Sequence, residues 1–225
     1  MAFSRCHGLW LPFLAIRNRR IVLSYPCVGE VSWKNFSEKT SAYLRLLTWT
    51  VAQTDGAFVV RTGHTRLALS RDYLFMMLTE WGLWRRYYLP KFSLQGKVVL
   101  DVGAGCGETA YFYFKHGASK VICVESNEEA LANLRRNCSR NNWNVEILDH
   151  PFELGDINRE YDFMKVDCEG GEVVLLSSER DLRQCVIEVH SADLRQKFMS
   201  KFKLQELFRL SENTWILGTA SVMQR

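Results

Sequence analysis

The sequence predicts an α/β fold: a mostly parallel sheet covered by helices on both faces, with an antiparallel pair at its C-terminal end. Three observations predict it. From residue 97 onward, short apolar runs alternate with segments of helical spacing. The first of these runs ends in an acid and opens into a glycine-rich turn. The tail reads as two strands around Ser211-Glu212-Asn213. Strands buried on both faces are continuous apolar runs, and their alternation with helices makes a parallel sheet.

The elements follow in order. Residues 19–25 read as a short strand, and residues 38–51 have helical spacing through Tyr43, Leu46, Leu47 and Thr50. Residues 57–60 and 65–69 form a hairpin around Thr62-Gly63-His64, with His64 at its exposed tip. A helix is predicted over 71–84, with Ser70 as N-cap and Leu74, Met77, Leu78 and Trp81 on one core-facing stripe. The run VVLDV at 98–102 is a strand, followed by the turn and a helix over about 107–116. Residues 121–124 are the next strand, ending in Glu125, and Asn127 caps a helix through Ala130, Leu131, Leu134 and Cys138. Residues 145–148, 163–166 and 186–189 are further strands, with helix signals around 171–177 and 192–203. Residues 204–210 and 214–222 make the terminal hairpin.

Composition narrows the function classes. The chain has 225 residues, 47% of them hydrophobic and 24% charged, with a mean hydropathy of -0.15. That is globular composition and excludes a low-complexity or fibrous protein. The longest apolar run, residues 9–16, is interrupted by Pro12 and followed by Arg17, Arg19 and Arg20. It falls short of the roughly 20 residues of a membrane span, and no small-residue cleavage site follows it. Seven scattered cysteines without a CxxC read as free thiols. An intracellular, cytoplasmic protein is expected.

Charge is uneven. Residues 1–95 hold 13 Lys and Arg against 5 Asp and Glu, a net +8, whereas residues 96–225 hold 16 against 20, a net -4. Sixteen of the 28 aromatic residues also lie in the first 95. A division follows: a basic, aromatic-rich substrate-recognition region of α+β character over 1–70, and a nucleotide-type domain over 71–225. The basic region either meets an anion such as RNA or solvates a small aromatic-packed subdomain.

The stretch VVLDVGAGCGET at 98–109 carries the most chemistry. Gly103, Gly105 and Gly107 let the backbone turn sharply and expose its N–H groups beside a helix N-terminus. Glu125, 24 residues after Asp101, ends the second strand, where a carboxylate can accept both hydroxyls of a ribose. A dinucleotide turn wants a third glycine where this chain has Glu108, which would face a pyrophosphate with like charge. The spacing instead resembles the S-adenosylmethionine turn of class I methyltransferases, over residues 97–225. That resemblance implies a Rossmann-like, mostly parallel seven-stranded sheet with a C-terminal antiparallel hairpin, and S-adenosyl-L-methionine as cofactor. It places Asp101 near the methionine end, Gly103, Ala104, Gly105 and Gly107 under the cofactor, Glu125 on the ribose, and Ser126, Asn127 and Asp149 about the adenine.

DFMKVDCEGGE at 162–172 is the second feature. Strand alternation puts Lys165, Asp167 and Glu169 on one side at the carboxyl end, where open α/β sheets bind ligands. The strand CVIEVH at 185–190 delivers Glu188 and His190 beside them. KxDxEGxE followed by a strand ending in ExH resembles the FkbM family of O-methyltransferases, and implies transfer to a hydroxyl of a small molecule or glycan. Asp167 is a candidate for both cofactor binding and catalysis. His190, Asp167 or Glu169 would take the acceptor's proton. Lys165 would lower an acceptor's pKa or pair with these acids, and Lys165 with Glu172 or Glu188 reads equally as a structural ion pair. No third ligand joins Asp167 and Glu169 at a telling spacing, so no metal is expected. Trp84, Tyr87 and Tyr88 either cover the cofactor pocket or pack its edge. No [DN]PP[YF] follows the fourth strand, which disfavours methylation of a base nitrogen. Two other readings stand: an RNA methyltransferase using the basic N-terminal region, and a catalytically silent cofactor-binding partner subunit. Oligomeric state is not legible.

Overall fold

A computed structural model describes residues 13–17, 20–25, 29–33, 49–54, 57–182 and 184–220. Two small antiparallel sheets come first. One is a meander of β1 (Phe13–Arg17), β2 (Arg20–Tyr25) and β3 (Gly29–Trp33). The other joins β4 (Thr50–Thr54), β5 (Ala57–Thr62) and β6 (Thr65–Leu69). Thr50 and Val51 therefore belong to a strand and not to a helix: Val51 pairs with Val60, as befits β-branched residues on a half-buried ladder. Residues 38–48 of that expected helix lie outside the described residues.

Helix α1 (Arg71–Glu80) is shorter than the sequence predicts. Gly82 follows Trp81, and the chain makes a turn before restarting as the short α2 (Trp84–Tyr87). Ser70 stands at the N-cap position, but its hydroxyl makes no capping bond.

The remaining strands are β7 (Val98–Val102), β8 (Lys120–Val124), β9 (Val145–Leu148), β10 (Phe163–Val166), β11 (Cys185–Val189), β12 (Leu204–Arg209) and β13 (Trp215–Thr219). They form one seven-stranded sheet in the order β12-β13-β11-β10-β7-β8-β9. All neighbours from β9 to β11 run parallel, and β13 lies antiparallel to both β11 and β12. The expected hairpin is therefore present, with its second strand ending at Thr219. Crossovers are made by α3 (Glu108–Lys115), α4 (Glu128–Asn141), two 3-10 segments (Leu154–Asn158 and Gly171–Ser177) and α5 (Ala192–Lys201).

Strand alternation splits the core. Val99, Val121, Phe163 and Val186 face one way, onto an aromatic layer in which Trp81 stacks on Tyr111 at 5.3 Å and meets Phe112 edge-on at 5.5 Å. Leu100, Ile122, Met164 and Ile187 face the other way, onto Leu175, Phe198 and Phe202. Asp101 and Lys165 are register partners on adjacent β7 and β10. Two charged residues thus enter the aromatic side at the point where strand order reverses, which is where open α/β sheets form their ligand crevice.

Candidate active site

A cleft of about 340 Å³ opens over the carboxyl ends of β7, β8, β10 and β11. That lies within the range of small-molecule sites. Its floor includes Gly103, Val124 and Lys165, and one wall carries Glu125, Ser126, His150 and Phe152. Asp167, Cys168, Glu169 and Glu188 line the opposite end. The helices α1 and α2 supply Tyr73, Met76, Glu80 and Trp84, with Tyr88 following.

The turn between β7 and α3 needs its glycines. Gly103, Gly105 and Gly107 all have left-handed backbones, with φ of 73°, 55° and 89°. A Cβ on Gly103 would stand 1.7 Å from the Asp167 carbonyl oxygen, and one on Gly105 would meet the Tyr73 ring at 2.5 Å. Glu125 ties the turn to β8. Its Oε2 accepts from Gly105 N–H at 2.9 Å, and its Oε1 accepts from the N–H groups of Ser126 and Asn127 at 2.9 and 2.8 Å. These bonds fix the carboxylate, occupy both lone pairs of Oε1 and leave Oε2 one for a further donor. Asn127 caps α4, its side chain accepting from Ala130 N–H at 2.9 Å.

Beneath the floor, Lys165 is 1% exposed and Asp101 fully buried. The Lys165 ammonium lies 3.3 Å from Asp101 Oδ1 and 3.7 Å from Asp167 Oδ2, and donates to the carbonyls of Val102 at 3.2 Å and Gly103 at 2.8 Å. Burial alone would lower its pKa, but Asp101, Asp167 and Glu108 outweigh that and raise it. Burial raises Asp101, against the Lys165 charge and the Thr109 hydroxyl, which donates to Asp101 Oδ2 at 2.5 Å. Lys165 is thus a buried cation under the glycine turn, paired with Asp101 and Asp167 and not with Glu172 or Glu188.

Tyr88 closes the far end. Its hydroxyl lies 3.1 Å from Asp167 Oδ2 and 3.0 Å from Glu188 Oε2. One hydroxyl has one proton, so it cannot donate to both carboxylates at once. Burial and the Asp167 charge push the Glu188 carboxyl upward, against the hydrogen bonds from His190 and Tyr88. Behind it, His190 Nδ1 lies 3.3 Å from Glu172 Oε1 and its Nε2 3.5 Å from Glu188 Oε1. Hydrogen bonds to these two carboxylates raise the imidazole to about 10, so it is protonated at neutral pH.

Among the residues singled out from sequence, Gly103, Glu125, Ser126, Lys165, Asp167 and Glu169 line the cleft. Asp101, Ala104 and Gly107 are buried around the turn without lining it. The one-sided placement of Lys165, Asp167 and Glu169 needs correction. β10 ends at Val166, and Glu169 is exposed with a φ of 47°, so strand alternation no longer governs it. Asp149 is exposed and paired with Arg135 at 2.6 Å, with His150 and Phe152 on the wall in its place. Asp167, Glu188 and His190 could offer ligand atoms to a cation, all within 4.8 Å of one another. Such an ion would have to displace the His190 proton and the Tyr88 bonds. The α1 residues Tyr73, Met76 and Glu80 carry no local signal of a site, since a helix packed over a cleft reads like any amphipathic helix.

The donor set suits one cofactor chemistry. An anchored carboxylate at the second strand fits a ribose, and the unpartnered buried oxygen of Glu108 would repel a pyrophosphate. Residues 99–192 match the family model described as a methyltransferase domain. The ribosomal protein L11 methyltransferase of Dictyoglomus thermophilum is 29% identical over 111 residues, which is 48% of this chain and 36% of that protein. Its namesake in Thermotoga maritima is 37% identical over 61 residues, 27% of this chain and 23% of that protein. The chain thus spans well under half the length of these curated relatives. A solved ribosomal protein L11 methylase from Lactobacillus delbrueckii subsp. bulgaricus superposes with a TM-score of 0.44 at 18% identity, covering 58% of this chain and 72% of that one. Strand order, glycine turn and the match over residues 99–192 make this part of the chain similar to a methyltransferase domain built on a Rossmann-like sheet.

Proposed function

We propose that the chain is an S-adenosylmethionine-dependent methyltransferase of FkbM-like type acting on a hydroxyl of a small molecule or glycan. The observation that carries the reading is the pairing of two sites in one cleft. The glycine turn and Glu125 stand at one end, and the Tyr88, Asp167 and Glu188 cluster at the other. In this reading residues 71–225 bind the cofactor and residues 1–70 select the acceptor. Glu125 orients the ribose, Ser126 and Phe152 border the adenine, and Asp101 with Lys165 holds the turn in shape from below. Bound there, the cofactor supplies an electrophilic methyl group.

The protein's own task is alignment and one proton. A hydroxyl acceptor has to lose its proton as the new bond forms, and Glu188, raised by burial and by Asp167, can take it when ionised. Tyr88 positions the two carboxylates and can pass that proton between them. His190 already carries a proton, so its part is to orient Glu188 through the 3.5 Å contact. Free thiols at Cys106, Cys123, Cys138, Cys168 and Cys185 suit a reducing, cytoplasmic setting. Among the described residues no helix is long and apolar enough to cross a membrane.

An RNA or protein acceptor is the second reading, favoured by the basic N-terminal region and by the relatives named for ribosomal protein methylation. Transfer of labelled methyl from S-adenosylmethionine decides between them. The reading expects label on hydroxylated small molecules or glycans, alkali-stable as an ether. Label found only on RNA or protein would overturn the acceptor assignment.

A further inference from the structure

Glu108 is the most anomalous charged group in the cleft. It is the first residue of α3, directly after the left-handed Gly107, and it is 1% exposed although it borders the cleft. Its Oε2 has no hydrogen-bond partner, while its Oε1 sits 2.5 Å from where a Cβ on Gly105 would stand. A buried carboxylate oxygen without a donor costs a native fold free energy. An orphaned acceptor of this kind in a native fold calls for an explanation, and beside a cleft a ligand donor supplies one.

The surroundings say what that group must be. Asp101 from β7 and Lys165 from β10 act on Glu108 directly, and Glu108 shares with Glu125, Asp167 and Cys106 the neighbourhood of Tyr73 from α1. Lys165 is the cation among them, and its ammonium is committed to Asp101 and to the Val102 and Gly103 carbonyls. Burial, with Asp101 adding to it, pushes the Glu108 carboxyl up to about 8, against Lys165 and nearby backbone N–H groups. The site therefore lacks a positive charge that can also donate a hydrogen bond. An anion is excluded by the same count. A sulfonium would supply the charge but no N–H, whereas an alkylammonium supplies both.

We propose that Glu108 binds the α-ammonium group of the cofactor's methionyl moiety, and is thereby the residue that selects an amino-acid-bearing adenosyl ligand. The inference rests on the S-adenosylmethionine reading of the cleft. Because the carboxyl must ionise to pair, binding near neutral pH releases a proton from Glu108. The ammonium is common to S-adenosylmethionine and S-adenosylhomocysteine, so both depend on Glu108 equally. 5′-Methylthioadenosine, which lacks the amino-acid portion, does not.

The test is calorimetric titration of the full chain and of Glu108→Gln with these three ligands, in two buffers of different protonation enthalpy. Gln keeps the shape of the side chain without its charge. The expected result is a loss of about tenfold for both amino-acid-bearing ligands, disappearance of the proton release, and unchanged affinity for 5′-methylthioadenosine. Unchanged binding of all three by Glu108→Gln would overturn the proposal. So would equal weakening of all three, which marks a merely structural role, or loss for S-adenosylmethionine alone, which marks the sulfonium. If the unaltered protein binds none of the ligands, the cofactor reading itself falls, and this inference with it.

Discussion

Gly103 illustrates how tightly single residues are constrained at the turn. A methyl group there would overlap the Asp167 carbonyl oxygen, and the residue's φ is 73°. The left-handed conformation alone costs a non-glycine residue about 1–2 kcal/mol, and the overlap adds to it. Gly103→Ala is expected to lower the midpoint of thermal unfolding and to weaken S-adenosylmethionine binding at least about tenfold, measured by calorimetry on the folded fraction. His190 makes a pH prediction. Its pKa is raised from 6.5 to about 10 by Glu172 and Glu188. The stability it contributes is therefore fully present below its unfolded value and is lost as pH rises through its folded one. Chemical denaturation of His190→Gln should show a deficit in mildly acid solution that disappears by about pH 10. A pH-independent deficit would contradict the ion pairs. The turn glycines and Glu125 were legible in the sequence because a strand, a turn and an acid at fixed spacing are local. The pairing of Asp149 with Arg135 was not legible, because Arg135 comes from the preceding helix. The protonated state of His190 was not legible, because nothing in ExH announces that Glu172 and Glu188 both turn toward the ring.

Elements are joined by a device that periodicity does not reveal. Asn137, on α4 and fully buried, accepts from Ala68 N–H at 2.7 Å and donates to Ala68 C=O and Cys106 C=O, both at 2.8 Å. One turn on, Asn141 repeats the pattern on Arg66, accepting from its N–H at 3.1 Å and donating to its C=O at 2.9 Å. Two side-chain amides thus stand in for a neighbouring strand along the edge of β6, and the first also grips the glycine turn. Asn137→Ala leaves three buried backbone groups without partners, an expected cost of at least about 3 kcal/mol at ~1–3 kcal/mol per group. Urea denaturation measures it, and a change below about 0.5 kcal/mol would contradict the coupling. The helices and strands from β7 to β13 were readable because each is short, apolar and bounded by turn residues. The helix expected through residue 84 failed at Gly82, and the segment over 171–177 settled as a 3-10 helix after the left-handed Gly170. The extent of a helix near glycine depends on what its ends pack against, which local spacing does not encode.

Over the whole molecule, order in the sheet explains where the cleft lies. β7 and β10 are neighbours from which the chain proceeds in opposite directions, and the turn after β7 therefore meets the acidic end of β10. The alternation of strands and helices made that architecture legible. The closure of the cleft was legible only in part: Trp84 and Tyr88 line it, as one of their two readings had it, whereas Tyr73 lies on a helix whose spacing gives no sign of the cleft. Charge also divides at this scale, with a basic N-terminal region and carboxylates lining the cleft. A hydroxyl acceptor without phosphate predicts methyl transfer that changes little with salt. An RNA acceptor would lose affinity steeply as salt rises, so initial rates across a salt series separate the two.

The central claim is that the glycine turn and Glu125 bind S-adenosylmethionine, and calorimetric titration of the full chain tests it most directly. The account predicts saturable binding of S-adenosylmethionine and S-adenosylhomocysteine, weakened at least about tenfold in Glu125→Ala and less in Glu125→Gln, with no binding of NAD. Equal binding by all three proteins, or binding of NAD in place of the sulfonium cofactor, would contradict it.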